Sequence, residues 1–544
     1  MLPPRQAPKS TGVSAANLAT GFRFLRRLPG HLRRPITEQE ARAALSHRLA
    51  TRQAALLNLL KERVFAVPES PYRRLLAHAG YTLPDLEALL QTNGVERTLQ
   101  DLLRDGVYIS IDEWKGRKEI IRGSLRFQAT TSDFLNPHAH RDVSATTGGS
   151  RSPGTLLLFD LDFIRACAGE TLLYLSAWQT APMAKAIWEV PGGGARFRLI
   201  KMALFGQPPA QWFSQVDPHR SSAGFLHQWS TTAMRIAGRL SRVPLPRPTY
   251  IPPTDVRRVA EWMAAERKSG RIPHILTYPS SALAACLAAR ENGLDIRGSC
   301  FTLGGEPITA ARLQLIRSTG AEAWPRYGAM ECGPIGYGCM CPEHHDEVHV
   351  LADLHALIQV GTAAAPHGFP ERALMVSSLH PRAPFTMLNT SMGDCATFSS
   401  RSCGCPLETL GWTTHLHTIR SYEKYTAAGM TFDAADIIRI LDEALPQQFG
   451  GRPMDYQLIE EEDDEGRPEL CLRIHPRIGP LNEAQVTRAL LDALGQPSRF
   501  HQMMKQVWLD QVAVRVERSE PCPTPGGKIL HLHASKVPPA GGRT

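Results

Sequence analysis

Hydroxyl groups and glycines crowd together in residues 143–154, a stretch that could bind a phosphate group. Such a loop needs hydroxyl donors and backbone N–H groups left open by glycine, and the apolar run 155–159 would anchor it as a strand. No Gly-Lys-Ser/Thr ends the stretch, so it is not the phosphate loop of kinases and GTPases. By composition alone it is also consistent with a solvated loop, and its meaning depends on residues further along the chain.

Residues suited to a nucleotide recur later in the chain. Gly304-Gly-Glu-Pro307 would let the backbone approach a flat ligand, because glycine has no side chain to keep it away. In Arg326-Tyr-Gly-Ala-Met-Glu331, a ring that could stack on a base stands near a carboxylate that could hold Mg²⁺ on a phosphate. Asp394 follows a glycine and could accept ribose hydroxyls, and Arg420 and Lys528 add two cations. Taken singly, each of the last three is more typical of a turn or a surface.

In their order, these motifs resemble the adenylate-forming superfamily of acyl-CoA synthetases and adenylation domains, and within it the phenylacetate–CoA ligase branch. The resemblance covers roughly residues 65–535, including Ser70-Pro-Tyr-Arg73 in the N-terminal part. It implies that a carboxylic acid and ATP give an acyl-adenylate and pyrophosphate, after which a nucleophile takes the acyl group. The implied cofactors are ATP, Mg²⁺ and coenzyme A.

The resemblance also implies a role for each motif. The residues that would hold the β- and γ-phosphates are Ser144, Thr146, Thr147 and Gly148. The residues that would border the adenine are Gly304, Gly305, Glu306 and Pro307, with Tyr327 stacked on it. The residues that would act in catalysis are Lys528, Glu331 and Thr147.

Four charged residues would complete this site. Glu331 would bind Mg²⁺, Asp394 would hold the ribose hydroxyls, and Arg420 would reach the ribose or a phosphate. Lys528 would bridge the attacking carboxylate and the α-phosphate. Attack at phosphorus requires positioned groups that neutralise charge spread over several oxygens, which a lysine, a metal ion and aligned N–H groups supply. A lysine on a small terminal domain fits a lid that moves away once the adenylate exists.

Six of the eleven cysteines fall between Cys332 and Cys405, and a local cluster with Cys-x-Cys pairs suggests a metal site. Some members of the resembled branch carry a structural zinc in this region. The residues that match its ligands are Cys341, His349, Cys403 and Cys405, with Cys339, His344 and His345 as nearby competitors. Three thiolates and an imidazole would form a closed tetrahedral site without an open position.

The chain departs from the family pattern at Ala145, where glycine is usual, and at Tyr422, where a hinge aspartate is common. Arg151 could take over charge neutralisation at the phosphates. Three interpretations are therefore open. The chain is an acyl- or aryl-CoA ligase, or an adenylating enzyme that passes its acyl group to an amine, a carrier protein or a protein side chain, or a non-catalytic nucleotide- and zinc-binding interaction protein. The identity of the acid is left open.

Composition excludes some other classes. An apolar fraction of 43% and a charged fraction of 21% are typical of a soluble globular protein. No apolar run reaches the roughly 18 residues of a membrane span, and no apolar block succeeds the basic start, so we expect a cytoplasmic protein. The net charge of +9 is spread along the chain, which does not indicate a nucleic-acid partner. The resemblance allows a homodimer, the state of many related ligases.

Periodicity predicts an α/β fold, with sheets covered by helices in a large domain and a small α+β domain at the C-terminal end. The resemblance implies that the large domain is an adenylation domain and that the small one is mobile. The expected parts are a poorly ordered basic leader (1–40), the large domain (41–417, helical to about 125) and the lid (418–544). In the large domain, the runs predicted as strands are 106–112, 155–159, 198–204 and 274–278, and 280–291 is predicted as a helix. In the lid, the predicted helices are 433–445 and 482–494, and the predicted strands are 456–459, 469–474 and 507–516.

Overall fold

A large α/β unit is built around a twelve-stranded sheet, and a small α+β unit with a four-stranded sheet comes after it in the chain. This confirms the predicted fold class. These statements rest on a computed structural model of the chain, which describes residues 15–140, 142–146, 156–178, 183–189, 191–214, 225–252, 255–361, 369–421, 426–427, 430–431, 434–462, 468–495, 513–523 and 529–534. Among those residues, no helix has both the length and the apolar character needed to cross a membrane.

Helices form the N-terminal part. They are α1 (Ala15–Leu32), α2 (Glu38–Ala50), α3 (Arg52–Asn58) with a π-helical continuation (Leu59–Phe65), α4 (Pro71–His78), α5 (Leu83–Arg104) and α6 (Ile111–Trp114). The capping box predicted at the start of α2 is confirmed, since the Thr37 side chain accepts the Glu40 N–H and Glu40 accepts the Thr37 N–H.

Helix α1 lies within residues that the sequence predicts to be a poorly ordered leader. Phe24, Leu28 and Leu32 recur at a spacing of four, so they share one face of the helix, and all three are buried in the main core. This apolar stripe docks α1 on the large unit. The basic residues of the leader mask this apolar periodicity in the sequence.

The large unit holds two hairpins and one sheet. The hairpins are β1 (Ile120–Arg122) with β2 (Leu125–Phe127), before a 3₁₀ turn (Thr131–Phe134), and β3 (Val143–Thr146) with β4 (Leu156–Phe159). The sheet strands are β5 (Met183–Trp188), β6 (Gln211–Ser214), β7 (Pro248–Tyr250), β8 (Ile272–Thr277), β9 (Cys300–Leu303), β10 (Glu322–Ala329), β11 (Gly333–Gly338), β12 (Val348–Val350), β13 (His355–Gln359), β14 (Ala373–Ser378), β15 (Thr390–Ser400) and β16 (Thr414–Ser421). The remaining helices of this unit are α7 (Leu161–Ala177), α8 (Gly193–Leu204), α9 (Phe225–Leu240), α10 (Arg257–Lys268), α11 (Pro279–Glu291) and α12 (Ala310–Arg317), with a 3₁₀ turn at Glu408–Leu410.

Strand β10 divides the large sheet into two halves. The strand order is β13-β14-β15-β16-β12-β11-β10-β9-β8-β5-β6-β7. From β10 to β7 every pairing is parallel, whereas from β10 to β13 every pairing is antiparallel. The carboxyl ends of the parallel strands therefore meet at one edge, next to the point where the pairing changes from parallel to antiparallel. Open α/β sheets bind ligands at such points.

Three predicted elements of the large unit are confirmed and two are wrong. Runs 155–159 and 274–278 correspond to β4 and β8, and 280–291 corresponds to α11. Run 198–204 lies in α8, which is buried almost all round, so its largely apolar pattern could not distinguish a helix from a buried strand. Run 106–112 forms only an isolated bridge from Ile109 to Thr390, because Ser110 caps α6 instead.

The last strand of the large sheet, β16, ends at Ser421. The small unit begins after it with a short hairpin of β17 (Thr426–Ala427) and β18 (Met430–Thr431). Its other elements are α13 (Ala434–Arg439), a π-helical turn (Ile440–Ala444), α14 (Leu445–Phe449), β19 (Tyr456–Glu462), β20 (Pro468–Ile474), a 3₁₀ turn (Pro476–Ile478), α15 (Glu483–Gly495), β21 (Ala513–Glu517) and β22 (Leu532–Ala534). The sheet order is β21-β20-β19-β22, with a separate apolar core beneath it. Most of the predicted strand 507–516 lies outside the described residues.

Candidate active site

The predicted phosphate loop is carried by the β3–β4 hairpin. Ser144 and Thr146 lie in β3, which pairs antiparallel with β4. The tip of the hairpin, which includes Thr147, Gly148 and Arg151, lies outside the described residues, and so do the side chains of β3. The described backbone therefore places the predicted loop between two paired strands.

The base of this hairpin is held by helix α1. Arg27 Nη1 lies 2.5 Å from Asp142 Oδ2, just before β3, and Arg27 Nη2 lies 2.9 Å from Asp162 Oδ2. Asp142 Oδ2 also accepts the Leu161 N–H at 3.1 Å. Asp160, just after β4, caps α7 by accepting the Asp162 N–H at 2.8 Å. Arg27 thus fixes the residues on both sides of the hairpin.

The Gly-Gly-Glu-Pro motif comes directly after β9, beside the carboxyl end of β10. A Cβ atom on Gly304 would lie 2.7 Å from the backbone oxygen of Arg326, so only glycine fits this close approach. Gly305 has a φ of +83°, a conformation that side-chain-bearing residues rarely adopt. The glycines are required by the backbone itself, and their contact with an adenine, like that of Pro307, stays a prediction.

Tyr327 and Asp394 form one polar pair. The Tyr327 hydroxyl donates to Asp394 Oδ2 at 2.9 Å. Three strands separate β10 from β15 in the sheet order, so the antiparallel half must curl to bring the two residues together. Burial and the Asp394 carboxylate raise the pKa of Tyr327 well above its ordinary value, so the hydroxyl stays protonated and keeps donating.

The two other charged residues predicted near this pair lie on neighbouring segments. Glu331 is in the half-buried turn between β10 and β11. Arg420 is on β16, next to the strand of Asp394, but its Nη1 lies 2.8 Å from Asp346 Oδ2 and its Nη2 lies 3.4 Å from His345 Nε2. Protein groups therefore hold the Arg420 guanidinium, and its role toward a ribose or phosphate stays a prediction.

The Glu306 carboxylate contacts protein groups from both units. It accepts the Ser280 N–H at 3.0 Å, the Ser280 hydroxyl at 2.7 Å and the Ile529 N–H at 3.0 Å. Arg312 Nη1 lies 3.3 Å from Glu306 Oε2. The bond holds Ile529, the residue that follows Lys528 in the chain, against the Gly-Gly-Glu-Pro motif. Lys528 itself lies outside the described residues.

Arg312 joins the two units through a buried cluster, here called the domain latch, which comprises Glu306, Arg312, Asp442 and His531. Arg312 Nε lies 3.2 Å from Asp442 Oδ2, and His531 Nε2 lies 3.0 Å from Asp442 Oδ1. The Thr309 hydroxyl donates to Asp442 Oδ2 at 2.9 Å. Burial opposes ionisation of Asp442, but Arg312 and His531 hold the pKa of this carboxyl well below its ordinary value.

A second cluster, here called the cation pair, consists of the buried Lys201 and the partly exposed Arg326. Lys201 lies in α8 with no exposed surface, and its Nζ donates to the Tyr337 hydroxyl at 3.3 Å. Arg326 is the residue of β10 that stands opposite Tyr337 in β11. Among the described residues, neither cation has a carboxylate within ion-pair distance, because the nearby Glu189 is paired with Arg198.

Four residues on the antiparallel side form a thiol cluster: Cys339, His349, Cys403 and Cys405. Their nitrogen and sulfur atoms all lie within 4.8 Å of one another. His349 Nε2 lies 3.1 Å from Cys405 Sγ and 3.6 Å from Cys403 Sγ. His349 Nδ1 lies 2.5 Å from the Trp412 carbonyl oxygen, which orients the ring with Nε2 toward the thiols.

One predicted member of this cluster is corrected by the structure. Cys341 is exposed, and its carbonyl oxygen accepts a bond from Arg401, whereas the buried Cys339 takes its place beside the other three residues. Cys339 comes directly after β11, while Cys341 lies beyond the point where the chain turns away from the sheet. The other two competitors, His344 and His345, lie outside the cluster.

Sequence reasoning missed Arg27, the domain latch and the cation pair. A lysine inside the apolar run of α8 and an arginine at the end of an apolar strand were signals, because cations are rarely buried without a partner. Nothing in the sequence around Asp442 or His531 indicates that either residue takes part in a buried charge cluster, since their partners lie far away in the chain.

Comparisons with known proteins give a fold. No protein-family model matches the sequence, and no curated protein matches it significantly. A 2-hydroxyisobutyryl-CoA ligase, solved in the postadenylation state in complex with R3-HIB-AMP, superposes with a TM-score of 0.51 and 15% identity, covering 93% of this chain and 91% of the ligase. Two further matches are McyG A-PCP complexed with phenylalanyl-adenylate (TM-score 0.43, 12% identity, 94% and 93% covered) and the amide bond synthetase McbA from Marinactinospora thermotolerans (0.39, 12%, 94% and 98%). The chain therefore has the fold of the 2-hydroxyisobutyryl-CoA ligase over nearly its whole length.

Proposed function

We propose that the chain activates a carboxylic acid with ATP, giving an acyl-adenylate and pyrophosphate, and then transfers the acyl group to the thiol of coenzyme A. The observation that carries this proposal is the bond from the Ile529 N–H to Glu306. It holds Ile529, the residue that follows Lys528 in the chain, against the Gly-Gly-Glu-Pro motif, which supports a role for the small unit at an adenylation site. The order of the motifs and the shared fold support the same function.

Coenzyme A is the acceptor that the resemblance to the phenylacetate–CoA ligase branch favours. The name of the ligase that shares the fold agrees with this choice. An amine or a carrier-protein thiol would attack the same acyl carbon, so the acceptor is the part of the proposal that experiment must decide.

The nucleotide would be bound by both halves of the large unit. The Tyr327 ring would stack on the adenine, and Asp394 would accept the ribose hydroxyls beside it. The pyrophosphate part would lie at the β3–β4 hairpin, where Thr147 and the residues around it donate hydroxyl and N–H groups. Arg27 holds the residues on both sides of this hairpin, which would fix the strands that carry the predicted phosphate-binding residues.

The chemistry would be assisted by charge neutralisation. Lys528 would contact the attacking carboxylate oxygen and the α-phosphate. The carboxylate oxygen forms its new bond to the α-phosphorus while the bond from that phosphorus to pyrophosphate breaks. Glu331 is the carboxylate that would hold Mg²⁺, an ion that supplies positive charge at the phosphate oxygens when bound. In the second step the thiol sulfur of coenzyme A would bond to the acyl carbon, and AMP would leave.

We also propose that the thiol cluster holds a structural Zn²⁺. Three sulfur atoms and one imidazole nitrogen are the donor set of a closed zinc site, and their proximity fits a single ion. Such an ion would join the segment after β11 to the segment after β15. It would stabilise the antiparallel half of the sheet and take no part in the reaction.

Pyrophosphate release, measured over a panel of carboxylic acids with and without coenzyme A, tests the function. We expect release with some acids and, in the presence of coenzyme A, formation of the acyl thioester. The Lys528→Ala variant should lose adenylation by at least about 100-fold, whereas the variant of the exposed lysine in α10, Lys268→Ala, should keep it. No release with any acid would contradict the proposal, and release without thioester would indicate another acceptor.

Metal analysis of two matched variants tests the zinc site. Wild type should contain close to one equivalent of zinc. Cys339→Ser should lose most of it, and Cys341→Ser should retain it, because only Cys339 lies in the cluster. Equal zinc content in both variants would contradict the ligand set proposed here.

A further inference from the structure

Strand β10 opens to solvent at its carboxyl end. Residues 323–325 are buried, whereas every residue from Arg326 to Ala329 is at least partly exposed. A strand in the middle of a large sheet is normally covered along its whole length. This partly exposed end, here called the cleft, lies at the switch between the parallel and antiparallel halves. Arg326 is the first residue of this opening, and its Nε lies 3.5 Å from the place where a Gly304 Cβ would be.

Arg326 faces the opposite side of β10 from the predicted ribose site. Consecutive residues of a strand point to opposite faces, and the irregularity in the β10–β11 pairing comes only after Tyr327. Tyr327 meets Asp394 on one face, while Arg326 shares the other face with Tyr337. A group bound by Arg326 is therefore distinct from a ribose bound by Asp394.

A second cation lies behind Arg326. The Lys201 ammonium group has one hydrogen-bond partner among the described residues, the Tyr337 hydroxyl, which also bonds to the Thr171 hydroxyl at 2.7 Å. The Tyr337 ring stacks on Tyr174 with 4.5 Å between the ring centroids, so this wall of the cleft is fixed by packing. A neutral hydroxyl cannot balance a buried positive charge, and an unbalanced buried charge is costly.

The surroundings of the cation pair contain too little negative charge. Glu189 is the described carboxylate that acts on both cations, and it is already paired with Arg198. Burial lowers the pKa of Lys201 to about 7, and the charge of Arg326 acts in the same direction. Burial and Arg198 likewise lower the pKa of Arg326 to about 10. An anion in the cleft would relieve this excess of positive charge.

We propose that the carboxylic acid activated at this site carries a second anionic group, which binds Arg326 with Lys201 behind it. This inference rests on the proposed function, since it concerns the part of the acid that does not react. The reacting carboxylate must meet the α-phosphate and Lys528, so the anion at Arg326 belongs to the far end of the acid. A carboxylate and a phosphoryl group share the required chemistry, because an arginine binds either through paired N–H donors.

The first experiment compares acids of matched length in pyrophosphate exchange: linear dicarboxylic acids, phosphonocarboxylic acids and monocarboxylic acids. We expect the doubly anionic acids to exceed the monocarboxylic acids in kcat/KM by about 10- to 150-fold, the factor that corresponds to a hydrogen bond to a charged group. The better of the two doubly anionic series identifies the second group. Equal or higher kcat/KM with the monocarboxylic acids would overturn the inference.

Substitution of Arg326 gives the second test. Arg326→Gln should abolish the preference, so that the doubly anionic acid and the monocarboxylic acid have equal kcat/KM in this variant. Arg326→Lys should retain part of the preference, because it keeps the charge without the paired donors. Arg317→Gln, which removes an exposed arginine from α12, should keep the full preference. An Arg326→Gln variant that raises only the KM for ATP would overturn the inference.

A binding measurement separates failure of this inference from failure of the proposed function. If no acid supports exchange, the adenylation proposal fails, but the cleft can still be tested by thermal unfolding without ATP. Glutarate or a matched phosphonocarboxylate should then raise the Tm of wild type more than butyrate does, and Arg326→Gln should abolish the difference. Equal shifts with all three probes in wild type would overturn the anion site itself.

Discussion

The domain latch and the cation pair are both groups of charges near the candidate site, but they differ in balance. In the latch, Arg312 lies between the carboxylates of Glu306 and Asp442. In the cation pair, Lys201 bonds to Tyr337, Arg326 stands opposite Tyr337 in the sheet, and neither cation pairs with a carboxylate of the described residues. The first group is complete without a ligand, whereas the second lacks an anion. The contrast suggests how to tell a positioning cluster from a binding site: the site is where the charges do not balance.

The same contrast separates two roles for buried charge. A balanced group contributes geometry, since its ion pairs and hydrogen bonds fix how the small unit sits on the large one. An unbalanced group costs stability until a ligand arrives, which is a common property of functional sites. Three substitutions test this distinction, and their expected effects on stability differ in size.

Breaking the balanced cluster should have the largest effect. Arg312→Met leaves Glu306 and Asp442 buried without their cation, and removal of one partner from a buried ion pair costs about 3–5 kcal/mol. We expect the free energy of unfolding, measured with urea, to fall by this amount. We also expect faster hydrogen exchange in residues 529–534, because Ile529 and His531 contact the large unit through the same cluster.

The matched control is Arg317→Met, one and a half turns further along α12. Its arginine is half-exposed and pairs only with the exposed Glu322. The control should change neither the stability nor the exchange measurably. If both variants behaved alike, the latch would not hold the two units together.

Removing one charge from the unbalanced pair should have a smaller effect of opposite sign. Lys201→Met takes away a buried cation without leaving an unpaired anion, so we expect the empty protein to gain about 1–4 kcal/mol of stability at pH 6. The gain should depend on pH. In wild type the pKa of Lys201 falls from 10.5 in the unfolded chain to about 7 in the folded one.

The sign of this pH dependence is set by proton binding. Between pH 7 and 10.5 the unfolded chain binds more protons at Lys201 than the folded chain, so wild-type stability should rise with pH over this range. The advantage of Lys201→Met should be constant below pH 7 and vanish toward pH 10.5. A pH-independent difference between the two proteins would contradict an unbalanced cation. The charged or titratable groups that face Lys201 are Arg326, Arg198, Glu189, Cys167 and Tyr337.

An exposed ion pair should show the smallest effect and sharpen the comparison. Glu38 and Arg42 are balanced like the latch, with 2.7 Å between Oε1 and Nη2, but both lie on the surface of α2. Glu38→Gln should lower the free energy of unfolding by less than about 0.5 kcal/mol, because solvent screens the pair. A loss as large as that of Arg312→Met would mean that burial is not what gives the latch its strength.

The motifs of the candidate site could be predicted from the sequence because each is short and local. Tyr327 and Glu331 lie within one segment. Gly304 is required by the close approach of its backbone to Arg326, and Gly305 by its positive φ. The fold class could be predicted from the alternation of helical and strand-like periods. The meeting of Tyr327 with Asp394 could not, because it depends on the curl of the sheet.

Other features escaped prediction because they depend on long-range contacts or on ambiguous patterns. Arg312 and His531 are 219 residues apart, and no periodicity relates them. Cys339 and Cys341 have the same residue type and nearly the same spacing to their partners, so only the end of β11 decides which thiol joins the cluster. Run 198–204 is largely apolar, and such runs fit a buried helix and a buried strand equally well.

The contact between α1 and the hairpin base also has a consequence for the order of folding. Arg27 and Asp142 are 115 residues apart, so α1 leaves the ribosome long before its partner exists. At synthesis rates of about 5–20 residues per second, the wait is roughly 6–23 s, far longer than helix formation takes. During that time the apolar stripe of Phe24, Leu28 and Leu32 has no docking surface. The contact between α1 and the base of the predicted phosphate-binding hairpin therefore forms late in synthesis, although α1 is synthesised early.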